Sequence, residues 1–200
     1  MNSLNPTEDL EFIKKVIQDS KKMIVNNGLQ YIVWGIIIVL GLLSVYLDAQ
    51  FQLRLNNLYV WLVLIGIGWI YSMIYVQRAK RKPSVKTFSG EMLGKIWLSL
   101  GIALTIMGFI GNISGAFHGS SFSPIAAVLL GMAYFLSGSV MDKTWIVYIG
   151  IIWWISSIIM FFLDGLTNLL VLSLLMILLQ IVPGIILYMK YKKEMITENE

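Results

Sequence analysis

The sequence predicts an all-α fold: six transmembrane helices in a bundle, preceded by an N-terminal amphipathic helix. Three observations carry this reading. Hydrophobic residues make up 58% of the 200 residues and charged residues 13%, where a soluble domain carries about 25% charged residues. Six apolar runs of about 20 residues can be cut from the chain, the length that crosses a hydrocarbon core of about 30 Å. The remaining charges fall in short blocks between those runs, with the basic ones almost entirely on one side of the predicted membrane. One polytopic domain accounts for the length, and little polar chain is left for a separate soluble catalytic unit.

Residues 1–28 are polar enough to stay out of the bilayer and read as a cytoplasmic amphipathic helix. Asn5-Pro6-Thr7-Glu8 is a helix start, with Asn5 as N-cap, Pro6 in the first turn and Glu8 at the third position. Leu10, Ile13, Ile17 and Ile24 follow a three-four rhythm and make an apolar face. Acids lead and lysines close the segment, as the helix dipole favours. Its acids and bases balance, so it suits a partner helix as well as a lipid surface. The charged stretch is too long for the leader of a signal peptide.

The transmembrane domain is expected over 29–189, with spans at about 29–47, 58–76, 92–113, 123–140, 144–163 and 166–189, and a cytoplasmic tail over 190–200. Asn26-Asn27-Gly28 breaks the chain before span 1, and Asp48 to Asn57 forms the first outer loop. Span 2 runs into the basic loop 78–86, which holds Arg78, Lys80, Arg81, Lys82 and Lys86, with Pro83 interrupting any helix. In span 3, Gly94, Gly101, Gly108 and Gly115 recur every seven residues and strip one face of side chains, so this span is expected at the centre of the bundle. Ser123-Pro124 reads as the start of span 4. Gly131 and Gly138 repeat the seven-residue spacing there, which makes spans 3 and 4 expected neighbours. Asp142-Lys143 and Asp164-Gly165 turn the chain into spans 5 and 6. Gly68-Trp69-Ile70-Tyr71, Gly131-Met132-Ala133-Tyr134 and Gly184-Ile185-Ile186-Leu187-Tyr188 on the even spans suggest three hairpin repeats.

Fourteen of the fifteen Lys and Arg residues lie on the side of the termini, Arg54 alone on the other, which places both termini in the cytoplasm. Tyr59, Trp61, Trp97 and Trp145 near span ends are expected in the aromatic belts. The net charge of +4 belongs to membrane orientation and anionic headgroups rather than to nucleic acid.

No residue pattern points to catalysis. Ionisable residues at a span centre mark proton or ion paths, and here Asp48, Lys95, Asp142 and Asp164 all fall at predicted span ends. With one His and no Cys, no metal-ligand set has usable spacing, and no cofactor is expected. An intramembrane serine protease needs Gly-x-Ser-Gly and a histidine. Phe135 stands where the first glycine should precede Ser137-Gly138, Asn112 stands in that place before Ser114-Gly115, and His118 lies in an outer loop. The residues singled out are packing candidates: Gly101, Gly108, Gly131, Gly138, Pro183 and Gly184. Pro183 removes a helix hydrogen bond one turn after Gln180, so that bend is the place where carbonyls and an amide are expected together, for packing or to line a cavity.

The amphipathic start Leu10-x-x-Ile13-x-x-x-Ile17, the Asn27-Gly28 break and Ile181-Val182-Pro183-Gly184 on the last span together resemble uncharacterised bacterial six-span integral membrane proteins. The resemblance implies a bacterial inner membrane and, for some of those proteins, an association with small transcriptional regulators; it implies no activity. The expected function is that of a non-enzymatic scaffold, sensor or regulatory membrane partner. It would contact the lipid bilayer, and a protein partner through the N-terminal helix or the loop 78–86. The alternative is a small-molecule binding or transport subunit with a cavity open to the outside, similar in size and span count to the substrate-binding components of vitamin importers.

Overall fold

The structure of the protein, a computed structural model, describes residues 28–81, 88–116 and 119–197. The expected N-terminal helix, His118, most of the basic loop and the end of the tail lie outside the described residues. Helices α1 (Leu29–Phe51), α2 (Asn57–Arg81), α3 (Phe88–Ile106), α4 (Gly119–Val140), α5 (Thr144–Met160), α6 (Gly165–Met176) and α7 (Val182–Thr197) follow in order. A π-turn at Met107–Gly111 extends α3, and a second at Ile177–Ile181 joins α6 to α7 in one rod. The result is an all-α bundle of six rods, with no strand among the described residues. Five rods are long and apolar enough to cross a membrane, and the 17-residue α5 is a shorter apolar helix. The protein is a multi-pass membrane protein.

The turns are built by the residues beside them. Asp48 at the end of α1 accepts the Leu55 backbone N–H at 2.9 Å and the Asn57 side-chain amide at 2.8 Å, which fixes the loop between α1 and α2. Asp142 after α4 has a left-handed backbone (φ 54°). The Lys143 N–H reaches the Gly138 carbonyl and the Asp142 N–H the Ser139 carbonyl, so the last carbonyls of α4 are satisfied within the tight turn. Gly115 does the same for α3: its φ is 70°, and Ala116 and Gly115 donate to Gly111 and Asn112. The fourth glycine of the seven-residue series is therefore a helix stop.

Two helices hold the bundle together. α1 packs against α2 on one side and against α6, the second π-turn and α7 on the other; α4 packs against α5 most extensively, and against α3 and α6. In its most apolar stretch α4 is 56% buried, whereas α2 and α3 are 6% buried. The glycine-striped α3 is thus peripheral, and α4 holds the place expected of it. The closest helix crossings also lie elsewhere. On the α4–α5 crossing, a Cβ added at Gly150 would lie 2.7 Å from the Gly131 carbonyl oxygen, and one at Gly138 would lie 2.5 Å from the Val147 nitrogen. On the α1–α7 crossing, a Cβ at Gly184 would lie 2.9 Å from the Gly28 carbonyl oxygen.

Ser123-Pro124 does not begin α4. The helix starts at Gly119, and Pro124 sits inside it. A proline so near the start frees only the carbonyl of the first turns, and Ser157 Oγ on α5 donates to the carbonyl of Pro124 itself at 3.0 Å. Of the aromatic residues near the span ends, Trp61, Trp97 and Trp145 pack against the core. Trp61 lays its ring over Gly41 of α1, and Trp97 turns into the core. Tyr59 remains exposed at the end of α2.

Candidate functional site

The most developed constellation lies where the second π-turn meets α1, α3 and α4. Pro183 has no backbone N–H, and in an α-helix its ring would collide with the carbonyl of Leu179. The π-turn at Ile177–Ile181 widens the helix just before it, with the Val182 N–H reaching back to the Ile177 carbonyl. Single-turn π insertions of this kind are frequent at functional sites. The widened turn carries Gln180 inward. Its side chain is 3% exposed, and Oε1 accepts a hydrogen bond from the Tyr134 hydroxyl of α4 at 2.7 Å.

An aromatic triangle continues from this bond. Tyr31 of α1, Trp97 of α3 and Tyr134 of α4 lie with ring centroids 4.9, 5.3 and 5.8 Å apart, two of the three pairs edge to face, the arrangement that ring quadrupoles favour. Trp97 Nε1 donates to Ser137 Oγ on α4 at 3.1 Å, and Ser137 is fully buried. Four rods thus contribute side chains to one cluster, which is tied by the Tyr134–Gln180 and Trp97–Ser137 hydrogen bonds.

The bend itself is filled. Pro183 and Gly184 are buried. Gly184 lies against Gly28, Ile32 and Tyr31, while Gly35 of α1 faces Gln180 and Ile181. A single methyl group at Gly184 or Gly35 would have no room, so α1 packs closely against this part of the rod.

The other packing candidates lie away from this cluster. Gly101 receives the ring of Trp69 from α2, with a Cβ there 3.3 Å from the ring, and Trp69 Nε1 bonds Thr105 Oγ1 at 3.4 Å. Gly108 faces Phe122 of α4 at 3.6 Å. These two glycines seat aromatic rings and do not admit another backbone. Gly131 and Gly138 lie together on the α4–α5 crossing, where the Trp154 indole packs over Gly131 and donates to the Val128 carbonyl at 3.1 Å. A second polar set joins α1 to α2: Trp34 Nε1 donates to Ser72 Oγ at 2.9 Å, and Ser72 Oγ donates to Gln30 Oε1 at 3.2 Å.

Sequence reasoning singled out Gln180 and Pro183 but missed Tyr31, Trp97, Tyr134 and the bonding role of Ser137. One signal was present: Ser123, Ala127, Leu130, Tyr134 and Ser137 recur at helical spacing on α4, so its polar residues share the inward face. In a membrane helix that pattern marks an interior face. Among the described residues no group of three His, Cys, Asp or Glu side chains is placed to hold a metal ion. The Ser114 hydroxyl, at the end of α3, donates to the Gly111 carbonyl at 3.1 Å. Comparisons with protein-family models, characterised proteins and solved structures find no match to this chain.

Proposed function

We propose that the protein is a non-enzymatic scaffold, sensor or regulatory partner in a bacterial cytoplasmic membrane, with both termini on the cytoplasmic side. The observation that carries this reading is the filled bend: the Gln180 amide is bonded to Tyr134, and Gly28, Gly35, Tyr31 and Ile32 occupy the space that a substrate path along the kinked rod would need. A transporter of the kind built on broken helices keeps unwound carbonyls open to its substrate, whereas here α1 packs against the π-turn and against Gly184. The distribution of Lys and Arg supports the orientation. The amphipathic pattern of residues 1–27 and the basic loop 78–86 supply the surfaces for lipid or a protein partner.

The test compares in-cell cross-linking and capture by the full chain with capture by a chain lacking residues 1–27. The reading expects both to insert and only the full chain to retain its partner. Undiminished capture by the shortened chain counts against it. Thermal-shift screening of the purified protein addresses the transport alternative: a specific stabilisation by one metabolite would favour a binding subunit.

A further inference from the structure

We infer that α7 is a lever: it turns about the π-turn before Pro183, and the first turns of α1 set its position, so a displacement entering at Gly28 is passed along α7. The rod is held unequally on the two sides of the turn. Before it, α6 packs against both α1 and α4, and Leu172 and Met176 lie buried in the common core. The turn itself is tied to α4 by the Tyr134–Gln180 hydrogen bond. Beyond it, among the described residues, α1 is the one helix against which α7 packs extensively. The rod therefore has a fixed half, a fulcrum, and a half with a single support.

The fulcrum is weak in the way a hinge requires. Pro183 donates no backbone hydrogen bond and the helix is already widened before it, and prolines and π insertions are where long helices bend. The support is small and close. A Cβ at Gly184 would meet the Gly28 carbonyl oxygen, Ile32 and Tyr31, and one at Gly28 would meet the Gly184 carbonyl and the Tyr188 nitrogen. Backbone faces backbone there and neither side can yield, so a shift of Gly28 moves Gly184 with it. Residues 1–27 join the chain at Gly28, and α7 runs on from the same crossing to Thr197. At a rise of about 1.5 Å per residue, a displacement at Gly184 grows about two- to threefold by Lys192. That the lever reports the capture of a partner by residues 1–27 rests on the proposed function; its mechanics do not.

Paired spin labels test this, because the chain has no cysteine of its own. Lys192→Cys with Ser139→Cys relates α7 to the end of α4, and Leu174→Cys with Met132→Cys relates α6 to α4 before the turn; all four side chains are exposed. Dipolar distances are measured on the full chain in nanodiscs, with and without a further change in the support. Gly28→Ala presses a methyl group on the Gly184 backbone, which must give by about 1.5 Å to reach van der Waals distance. The Lys192–Ser139 distance is then expected to shift by about 4 Å, with the Leu174–Met132 distance unchanged. Ile32→Ala takes atoms away from the support and is expected to broaden the Lys192–Ser139 distribution alone, and it decides the matter where Gly28→Ala does not fold. An unmoved Lys192–Ser139 pair in folded Gly28→Ala, no broadening in Ile32→Ala, or equal changes in both pairs would overturn the lever. Both distances are measured without a partner, so a failed capture experiment leaves the lever standing, and an unmoved label pair leaves the proposed function standing.

Discussion

The hydroxyl of Tyr134 donates to the side-chain oxygen of Gln180 across 2.7 Å in the interior of the bundle, and neither residue is more than 3% exposed. One bond therefore links the most buried helix, α4, to the π-turn that precedes Pro183. Tyr134→Phe leaves the Gln180 oxygen without its donor at almost unchanged volume. Interhelical bonds of this kind contribute about 0.6 kcal/mol on average and up to about 1.7 kcal/mol in membrane proteins. A loss near the upper value is expected, because both partners are buried. Unfolding by steric trapping in bicelles measures it, and a loss indistinguishable from zero would reduce the bond to a by-product of packing.

The π-turn and the bond depend on each other. Pro183→Ala restores an N–H and removes the collision that widens the helix, so the turn relaxes and Gln180 rotates away from Tyr134. In the Pro183→Ala background Tyr134→Phe is expected to cost less than half of what it costs in the wild type. A double-mutant cycle tests this, and full additivity would separate the proline from the bond.

The glycines fall into an order set by what lies opposite each. At Gly150 and Gly138 an added Cβ meets backbone closer than 3.0 Å, and backbone cannot step aside. Gly150→Ala is expected to destabilise by about 2 kcal/mol, within the range that overpacking costs. Gly41 faces the ring of Trp61, with a Cβ there at 2.5 to 2.9 Å, and Gly101 faces Trp69 at 3.3 Å. Substitution at Gly41 is thus expected to harm folding more than substitution at Gly101 or Gly108, the reverse of what the seven-residue stripe suggests. Gly94→Ala is expected to be neutral. Recovery of folded protein after mild heating, compared across the five alanine variants, establishes the order.

Trp97 links α3 to the core through Ser137. Trp97→Phe keeps most of the aromatic triangle and removes the donor, while Ser137→Ala removes the acceptor and leaves the indole N–H buried without a partner. The asymmetry of buried hydrogen bonds makes the alanine variant the more harmful of the two. Thermal denaturation in detergent reads the difference, and a larger loss for Trp97→Phe would show that ring area, not the bond, fixes α3.

That the chain is an all-α bundle with several membrane-crossing helices was legible because hydrocarbon solvent permits so few alternatives: apolar runs of sufficient length must be helical to satisfy their own backbone. The centre of the bundle was not legible. Seven-residue glycine spacing shows where side chains are missing, but not what enters the space, and on α3 that is Trp69 and Phe122, with open space at Gly94. Nearness of Trp97 to a span end speaks to its depth and says nothing about which way the ring faces. Gln180 stood out in the sequence as an amide beside a proline. Its partner Tyr134 did not, since a tyrosine in a long apolar run is legible as polar interior only when the helical face it shares with Ser123 and Ser137 is traced.

The central claim is that the polar groups of the interior close the bundle and do not line an aqueous path. The chain contains no cysteine, so single cysteines report access without background. Ser137→Cys preserves the shape of the fully buried side chain beside Trp97, and Gln52→Cys places an exposed thiol beyond α1. With a membrane-impermeant methanethiosulfonate reagent on sealed vesicles of either orientation, Gln52→Cys is expected to react from one side and Ser137→Cys from neither. Reaction of Ser137→Cys from either side, at a rate approaching that of Gln52→Cys, would place water at the cluster and contradict the account.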